Sequence, residues 1–275
     1  MPPLIKQHMG LFAAASAAII LTAAATVFLI SFALGGNPDT PTEPMVTKPA
    51  PTEPTLPQGS VTTGDFYFEG DFLLCSQPHL VGIDVSELQG SIDWASVKES
   101  GVEFAMIRLG YRGYVTGMLN TDARALENLQ RAREAGILVG AYFFSQATCV
   151  EEAAAEAAYA LEILGEFKLD LPLAYDWEPM ERTKDVDGQT VTECVIAFCD
   201  AVAAGGRDPM LYFGSFQGQH FLDLFQLTDY PWWLAWYNTE EEFYCRWNMW
   251  QYGLGTVPGI EGNTDLNILL LDGPV

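Results

Sequence analysis

Short apolar runs alternate with helix-like patterns over most of the chain after residue 80. The runs of strand length are residues 80–85, 103–109, 138–144, 171–177 and 209–213. The helix-like patterns between them are residues 94–100, 122–135, 151–164 and 190–204. Gly136 and Gly165 follow two of these patterns, at the position where glycine often ends a helix. Nearly continuous apolar strands that alternate with helices predict a parallel sheet covered by helices.

The pattern changes after residue 213. Three strand-like runs follow without long helices between them, at residues 232–237, 244–252 and 266–271. Five strand–helix steps followed by three strands predict an α/β domain over residues 80–275, folded as an irregular TIM-like (β/α)5(β)3 barrel. In barrels of this type the active site lies at the carboxyl ends of the strands.

The N-terminal part has a different composition. Residues 11–34 carry no charge, and a helix of that length would reach about 36 Å, more than the ~30 Å hydrocarbon core of a bilayer. We expect an uncleaved transmembrane signal anchor there, which would make the protein a single-pass cell-membrane protein. Lys6 favours a short cytoplasmic N-terminus over residues 1–10 and an extracellular domain. The alternatives are a cleaved signal peptide, which would make the protein secreted, and a buried core helix.

Two further segments precede the barrel. Residues 35–59 form a Pro/Thr-rich linker, since residues 37–58 hold seven of the 16 prolines, and this composition predicts an extended spacer. Residues 60–79 form an N-terminal extension, in which the run GDFYFEGDF predicts an extra hairpin. No function follows from this extension.

Charge and composition exclude several classes of function. The chain has 36 acidic and 13 basic residues and a net charge of -23, with no basic cluster to hold nucleic acid. The three histidines are scattered, no cysteine pair has zinc-site spacing, and no glycine-rich phosphate loop precedes a helix. We therefore expect no metal and no cofactor, and a monomer.

The most informative motif is Asp176–Trp177–Glu178, at the end of the apolar run LPLAYDWEP. Side chains two positions apart on a strand share a face, with α-carbons about 6.6 Å apart. Two carboxyl groups so placed repel each other, so we expect one to have a raised pKa. A protonated acid beside an ionised carboxylate is the pair that cleaves glycosidic bonds. The alternative is a solvated acidic loop, which the preceding apolar run disfavours.

Other polar and aromatic residues lie near predicted strand ends. Asp84 and Gln251 each end an apolar run, and a carboxylate in that position requires a partner or a role. Sugar rings stack on aromatic faces, although each aromatic residue could instead pack in the core. The candidate sugar-binding residues are Tyr111, Tyr142, Trp177, Tyr212, Trp236, Tyr237 and Gln251. Trp236 and Tyr237 are the preferred pair.

Five segments, in order along the chain, resemble glycoside hydrolase family 25. They are GIDVSELQGSIDW (82–94), VGAYFFSQA (139–147), LPLAYDWEP (171–179), WLAWY (233–237) and MWQYG…VPGIEGNTDLN (249–267). The resemblance covers residues 80–272 and implies a flattened (β/α)5(β)3 barrel. It also implies a lysozyme, an N-acetylmuramidase that cuts the β-1,4 bond between N-acetylmuramic acid and N-acetylglucosamine in peptidoglycan.

The resemblance also assigns roles to residues. Glu178 resembles the general acid and Asp176 its partner, while Asp84 and Asp265 resemble two supporting carboxylates. It leaves open whether the enzyme uses a protein nucleophile or the acetamido group of the substrate; the latter, with retention of configuration, is favoured. Phe143 departs from the family pattern, because many members have histidine there. Two other readings remain open, namely a non-catalytic wall-binding module on the same fold and a chitinase-like activity.

Overall fold

The computed structural model describes residues 56, 59, 61–237 and 243–271. The predicted transmembrane anchor at 11–34, the cytoplasmic N-terminus and nearly all of the linker lie outside these residues. Within the described part, no helix combines the length and the apolar character that crossing a bilayer requires.

Strands and helices alternate along the described chain. The strands are β1 (Phe66–Glu69), β2 (Phe72–Cys75), β3 (His79–Val85), β4 (Phe104–Arg112), β5 (Leu119–Thr121), β6 (Leu138–Ser145), β7 (Leu173–Trp177), β8 (Pro209–Gly214), β9 (Trp232–Ala235), β10 (Met249–Thr256) and β11 (Asn263–Leu270). The helices are α1 (Trp94–Glu99), α2 (Ala125–Glu134), α3 (Val150–Leu164), α4 (Gly188–Ala204) and α5 (Ser215–His220).

Eight of these strands close into a barrel. Their order around it is β3, β4, β6, β7, β8, β9, β10 and β11, and β11 pairs again with β3. Neighbouring strands are parallel from β3 to β10, whereas β11 is antiparallel to both β10 and β3. Helices follow the first five barrel strands but not the last three. The predicted eight-stranded α/β barrel is therefore confirmed.

Some predicted boundaries were wrong. The run at 244–252 begins too early, because β10 starts only at Met249. The residues before it include Trp247, which packs its ring against Trp250 and Phe243 outside the barrel. Helix α5 was not predicted, since it has only six residues and includes a glycine.

Alternation along the strands produces two apolar layers. One set of side chains, among them Ile83, Tyr175 and Trp250, packs on the outer face of the sheet. The other set fills the barrel interior and includes Met106 and Trp233. Residues that share the parity of the interior set therefore face the lumen, and at the carboxyl ends of the strands they face its mouth.

The N-terminal extension forms the predicted hairpin. Strands β1 and β2 pair antiparallel, and the ring of Phe66 lies 5.1 Å from that of Trp250 on the outer face of β10. The amide of Leu73 donates a hydrogen bond to the hydroxyl of Tyr252 (3.2 Å). The hairpin thus covers part of the sheet where the last strands have no helix.

Candidate active site

Four carboxyl groups lie at one end of the barrel. Asp84 is near the end of β3, Asp176 is near the end of β7, and Glu178 follows β7 directly. Asp265 lies near the start of β11, and because that strand runs antiparallel, it pairs with Asp84 at the same end. All four have the parity of residues that face the lumen. The structure therefore brings together the four predicted catalytic residues.

Asp84 is buried and held by two amides. Its Oδ2 atom accepts hydrogen bonds from Nε2 of Gln251 (2.9 Å) and from Nδ2 of Asn267 (2.7 Å). Burial raises the pKa of Asp84 to about 6, although the hydrogen bonds from Asn267 and Gln251 act to lower it. Its backbone carbonyl also accepts a hydrogen bond from Oγ1 of Thr264 (2.9 Å). The orientation of this carboxylate is thus fixed.

The two amides are themselves fixed by aromatic donors. Oε1 of Gln251 accepts hydrogen bonds from the hydroxyls of Tyr212 (3.1 Å) and Tyr237. Oδ1 of Asn267 accepts one from Nε1 of Trp233 (2.8 Å). Gln251 was predicted as a site residue, whereas sequence reasoning missed Asn267 and Trp233. A signal for Asn267 was available, since it follows Asp265 by two positions on the same strand and must share its face.

The pKa values of the other three carboxyl groups are raised by burial and by neighbouring charges. Burial is the main cause that raises the pKa of Asp176 well above its ordinary value. The charges of Glu178 and Asp84 raise it further, while Arg108 acts to lower it. Burial, then the charge of Asp84, raises the pKa of Glu178. Burial, then the charges of Asp84 and Glu178, raise the pKa of Asp265 to about 8. The site therefore retains protons near neutral pH, as a general acid requires.

Asp176 is the more deeply buried carboxyl group of the Asp176–Trp177–Glu178 motif. It is buried, and its Oδ1 atom has no hydrogen-bond partner in the part of the chain that the structure describes. Glu178 is only half-buried and can reach a bound substrate. A buried, unpartnered carboxyl oxygen is costly, so its presence at a barrel mouth indicates a functional requirement.

Arg108 lies at the edge of this acidic group. Its guanidinium donates to Oδ2 of Asp122 (2.9 Å) and to Oε1 of Glu87 (3.4 Å). It also lies over the ring of Tyr111, at 5.0 Å from the centroid. Tyr111 is half-buried, so this contact occupies part of the ring that was predicted to bind sugar.

The predicted sugar-binding aromatics fall into two groups. Tyr142 and Tyr212 are largely buried in the lumen, where both pack against Trp233, and Tyr237 is 61% exposed. Trp177 and Trp236, by contrast, belong to the layer outside the barrel. These five positions therefore divide between the lumen side and the helix side of the sheet.

The sugar contacts predicted for the two tryptophans need correction. Trp177 is 3% exposed, donates from Nε1 to the carbonyl of Ala147 (3.0 Å), and packs on Phe221 at 5.3 Å. Trp236 is 8% exposed and packs on Tyr244 at 5.6 Å. Neither indole has a face open to a sugar. The physical reason for Trp177 is strand alternation, which turns it away from its neighbours in the DxE motif.

Phe143 faces the helices rather than the site. It is fully buried in the outer layer, and its ring contacts that of Tyr159 edge-on at 6.4 Å. The departure from the family pattern at this position therefore alters packing behind the sheet. Among the described residues, no cluster of three or more histidine, cysteine or acidic side chains is arranged to hold a metal ion.

Comparison with known proteins agrees with this geometry. The model of the family "Glycosyl hydrolases family 25" matches residues 83–260. The uncharacterized protein YegX of Escherichia coli K12 is 31% identical over 198 residues, covering 68% of each chain. Lysozyme M1 of Streptomyces globisporus is 30% identical over 207 residues, covering 68% of this chain and 66% of the lysozyme. The crystal structure of a Streptomyces coelicolor lysozyme superposes with a TM-score of 0.59 at 27% identity, covering 68% of this chain and 90% of that one. The chain therefore belongs to glycosyl hydrolases family 25.

Proposed function

We propose that this lysozyme-type peptidoglycan hydrolase cuts the β-1,4 bond between N-acetylmuramic acid and N-acetylglucosamine, with Glu178 as its general acid. One observation carries the proposal. Carboxyl groups from three strands meet at the barrel mouth, and the pKa of each is raised by burial and, for three of them, by the charges of the others. The match to family 25 and the likeness to lysozymes support the same chemistry.

Glu178 supplies the proton in the first step. Burial and the charge of Asp84 raise the pKa of its carboxyl and so favour the protonated form, and its partial exposure lets it reach the glycosidic oxygen. The proton moves to that oxygen as the bond to the anomeric carbon breaks, and positive charge develops on the sugar ring. The Glu178 carboxylate then accepts a proton from the water that completes hydrolysis.

Asp176 assists at the anomeric carbon. Its unpartnered Oδ1 can accept a hydrogen bond from the acetamido N–H of the substrate, which makes the acetamido oxygen a better nucleophile toward that carbon. Attack by the acetamido oxygen and then by water gives overall retention of configuration. Asp84 adds negative charge that favours the cationic state, whereas Asp265, whose pKa is raised to about 8, holds a proton near neutral pH.

The first test is the substitution Glu178→Gln. It removes the transferable proton with little change in shape, so we expect hydrolysis of purified peptidoglycan to fall by about 10²–10⁴-fold. Release of new reducing ends measures the rate. Glu181→Gln is the matched control, because Glu181 lies in the same loop but is exposed and forms an i,i+3 ion pair with Lys184. Wild-type activity in Glu178→Gln would remove Glu178 from the role of acid.

The second test identifies the bond. Mass spectrometry of the soluble fragments should show muropeptides with N-acetylmuramic acid at the new reducing end. Fragments from chitin but not from peptidoglycan would indicate a chitinase-like enzyme instead. Binding to glycan strands without any fragments would indicate a wall-binding module.

We also propose that the protein is exported and held at the cell membrane by residues 11–34. The support is the uncharged apolar composition of this segment, together with Lys6 before it and the proline-rich linker after it. In cells that express the full chain, the protein should resist extraction from membranes at alkaline pH, and external protease should remove the barrel domain. Recovery of a shortened chain in the medium would indicate a cleaved signal peptide.

A further inference from the structure

Glu178 lies just beyond the last residue of β7, yet two buried side chains hold its backbone. Its carbonyl oxygen accepts a hydrogen bond from Nε2 of Gln146 (2.8 Å) and another from Oγ1 of Thr183 (3.1 Å). Both side chains are fully buried. Neither contact involves the carboxyl group of Glu178, so the two residues act on its backbone. We call Gln146 and Thr183 the carbonyl clamp.

Each side chain of the carbonyl clamp is itself fixed. Nε2 of Gln146 also donates to the carbonyl of Ser145 (2.9 Å), the last residue of β6. Oγ1 of Thr183 accepts a hydrogen bond from the amide of Met180 (2.8 Å), within the loop that carries Glu178. The clamp therefore joins the end of β6 to the loop after β7, and the carbonyl of Glu178 is the nearest of the acceptors around the Thr183 hydroxyl.

An ion pair between Arg182 and Glu152 lies beside the carbonyl clamp and contacts the backbone of Gln146. The guanidinium of Arg182 donates to the backbone carbonyl of Gln146 and to both carboxylate oxygens of Glu152 on α3, at 2.8 and 2.5 Å. Glu152 also accepts hydrogen bonds from the amide and the hydroxyl of Thr148. Burial opposes its ionisation, but the hydrogen bonds from Arg182 and Thr148 lower the pKa of Glu152 to about 2. The carboxylate of Glu152 therefore stays ionised at neutral pH and well below it.

We infer that Gln146 and Thr183 are positioning residues, which set the place of the general acid by holding the carbonyl of Glu178. This inference rests on the proposed function of Glu178. A displacement of about 1 Å in a reacting group can lower a rate by about 10²-fold, so a loop residue that must donate a proton needs such support. The clamp provides it through the backbone carbonyl of Glu178, which leaves the carboxyl group free to meet the substrate.

The test is a pair of substitutions at Thr183. Thr183→Val keeps the shape but removes the hydroxyl, and we expect kcat on peptidoglycan to fall about 10- to 100-fold with KM nearly unchanged. Thr183→Ser restores the donor and should recover most of kcat. Gln146→Met removes the other donor with a side chain of similar length and should lower kcat in the same way.

The pH profile separates positioning from simple loss of stability. If the loop relaxes, the carboxyl of Glu178 becomes more exposed and its pKa falls, so the alkaline limb of kcat/KM should move to lower pH in Thr183→Val. The titratable groups that interact with Glu178 are Asp84, Asp176, Asp265, Tyr212 and Tyr237, and none of them is substituted in this variant. A purely structural role would lower the melting temperature without moving this limb.

The matched control is Thr192→Val. Thr192 is also fully buried, and its hydroxyl bonds to the carbonyl of Gly188 on α4, away from Glu178. We expect its kcat and pH profile to match the wild type. Wild-type kcat and pH profile in both Thr183→Val and Gln146→Met would overturn the inference while leaving Glu178 as the acid. Full activity in Glu178→Gln would instead overturn the proposed function itself.

Discussion

At the scale of single residues, the contact between Asn267 and Asp84 sets the charge state of the site. Nδ2 of Asn267 donates to Asp84 at 2.7 Å, and this hydrogen bond lowers a pKa that burial raises. In Asn267→Ala the carboxylate loses a donor, so the pKa of Asp84 should rise above about 6. Because Asp84 acts as an anion, the acidic limb of kcat/KM should move to higher pH.

A pH–rate series on peptidoglycan measures this shift. Asn128→Ala is the control, because Asn128 is a buried asparagine on α2, outside the site. Its profile should coincide with that of the wild type. An acidic limb that stays in place, or moves to lower pH, in Asn267→Ala would contradict the role given to the Asn267 hydrogen bond.

The sequence predicted the acidic residues better than their partners. Asp176 and Glu178 follow an apolar run at a spacing that fixes their common face, so local pattern alone indicates them. The contact between Asp84 and Asn267 joins residues 183 apart in sequence and exists only because β11 closes the barrel against β3. The assignment of Trp177 was wrong for a local reason, since its parity opposes that of Asp176.

At the scale of elements, the hairpin of β1 and β2 stabilises the sheet where helices are missing. Phe66 packs on Phe243, Trp247 and Trp250 outside the barrel. Phe66→Ala should lower the free energy of unfolding by roughly 2–3 kcal/mol, somewhat less than for a fully buried phenylalanine. Denaturant unfolding of the purified protein measures the change, and kcat of the folded protein should stay near that of the wild type.

Tyr67 provides the control within the same strand. It is 53% exposed, so Tyr67→Ala should change the free energy of unfolding by less than about 0.5 kcal/mol. Equal effects of the two substitutions would show that the hairpin is stabilised by its own strand pairing and not by the aromatic contacts with β10.

The sequence pattern predicts the first five barrel strands better than it predicts β10, because the two differ in what covers them. The first five barrel strands are apolar on both faces, because helices cover one side and the lumen the other, so they read as continuous runs. Strand β10 was misplaced because aromatic residues before Met249 pack outside the barrel without belonging to a strand. These aromatic residues pack against the β1–β2 hairpin, and this contact cannot be read from the local sequence pattern.

At the scale of the whole molecule, the carboxyl groups of the active site lower the stability of the folded state. Asp84, Asp176, Glu178 and Asp265 each have a folded-state pKa above the ordinary value. The folded protein therefore binds more protons than the unfolded chain between about pH 4 and pH 8. By linkage, these groups stabilise the fold least at the upper end of this window, where they must ionise inside the barrel.

Asp265→Asn tests this opposition. The substitution removes a group whose pKa is raised to about 8, so it should raise the melting temperature at pH 8 but not at about pH 3, where the carboxyl is largely protonated in both the folded and the unfolded state. Relief of about 1 kcal/mol corresponds to a rise of about 2–4 °C for a domain of this size. Asp71→Asn, at an exposed turn between β1 and β2, controls for net charge. The same rise in both variants, or none in Asp265→Asn, would show that the acidic groups at the barrel mouth do not destabilise the fold. A rise confined to Asp265→Asn at pH 8 would instead show that keeping these acidic groups together for catalysis lowers the stability of the folded protein.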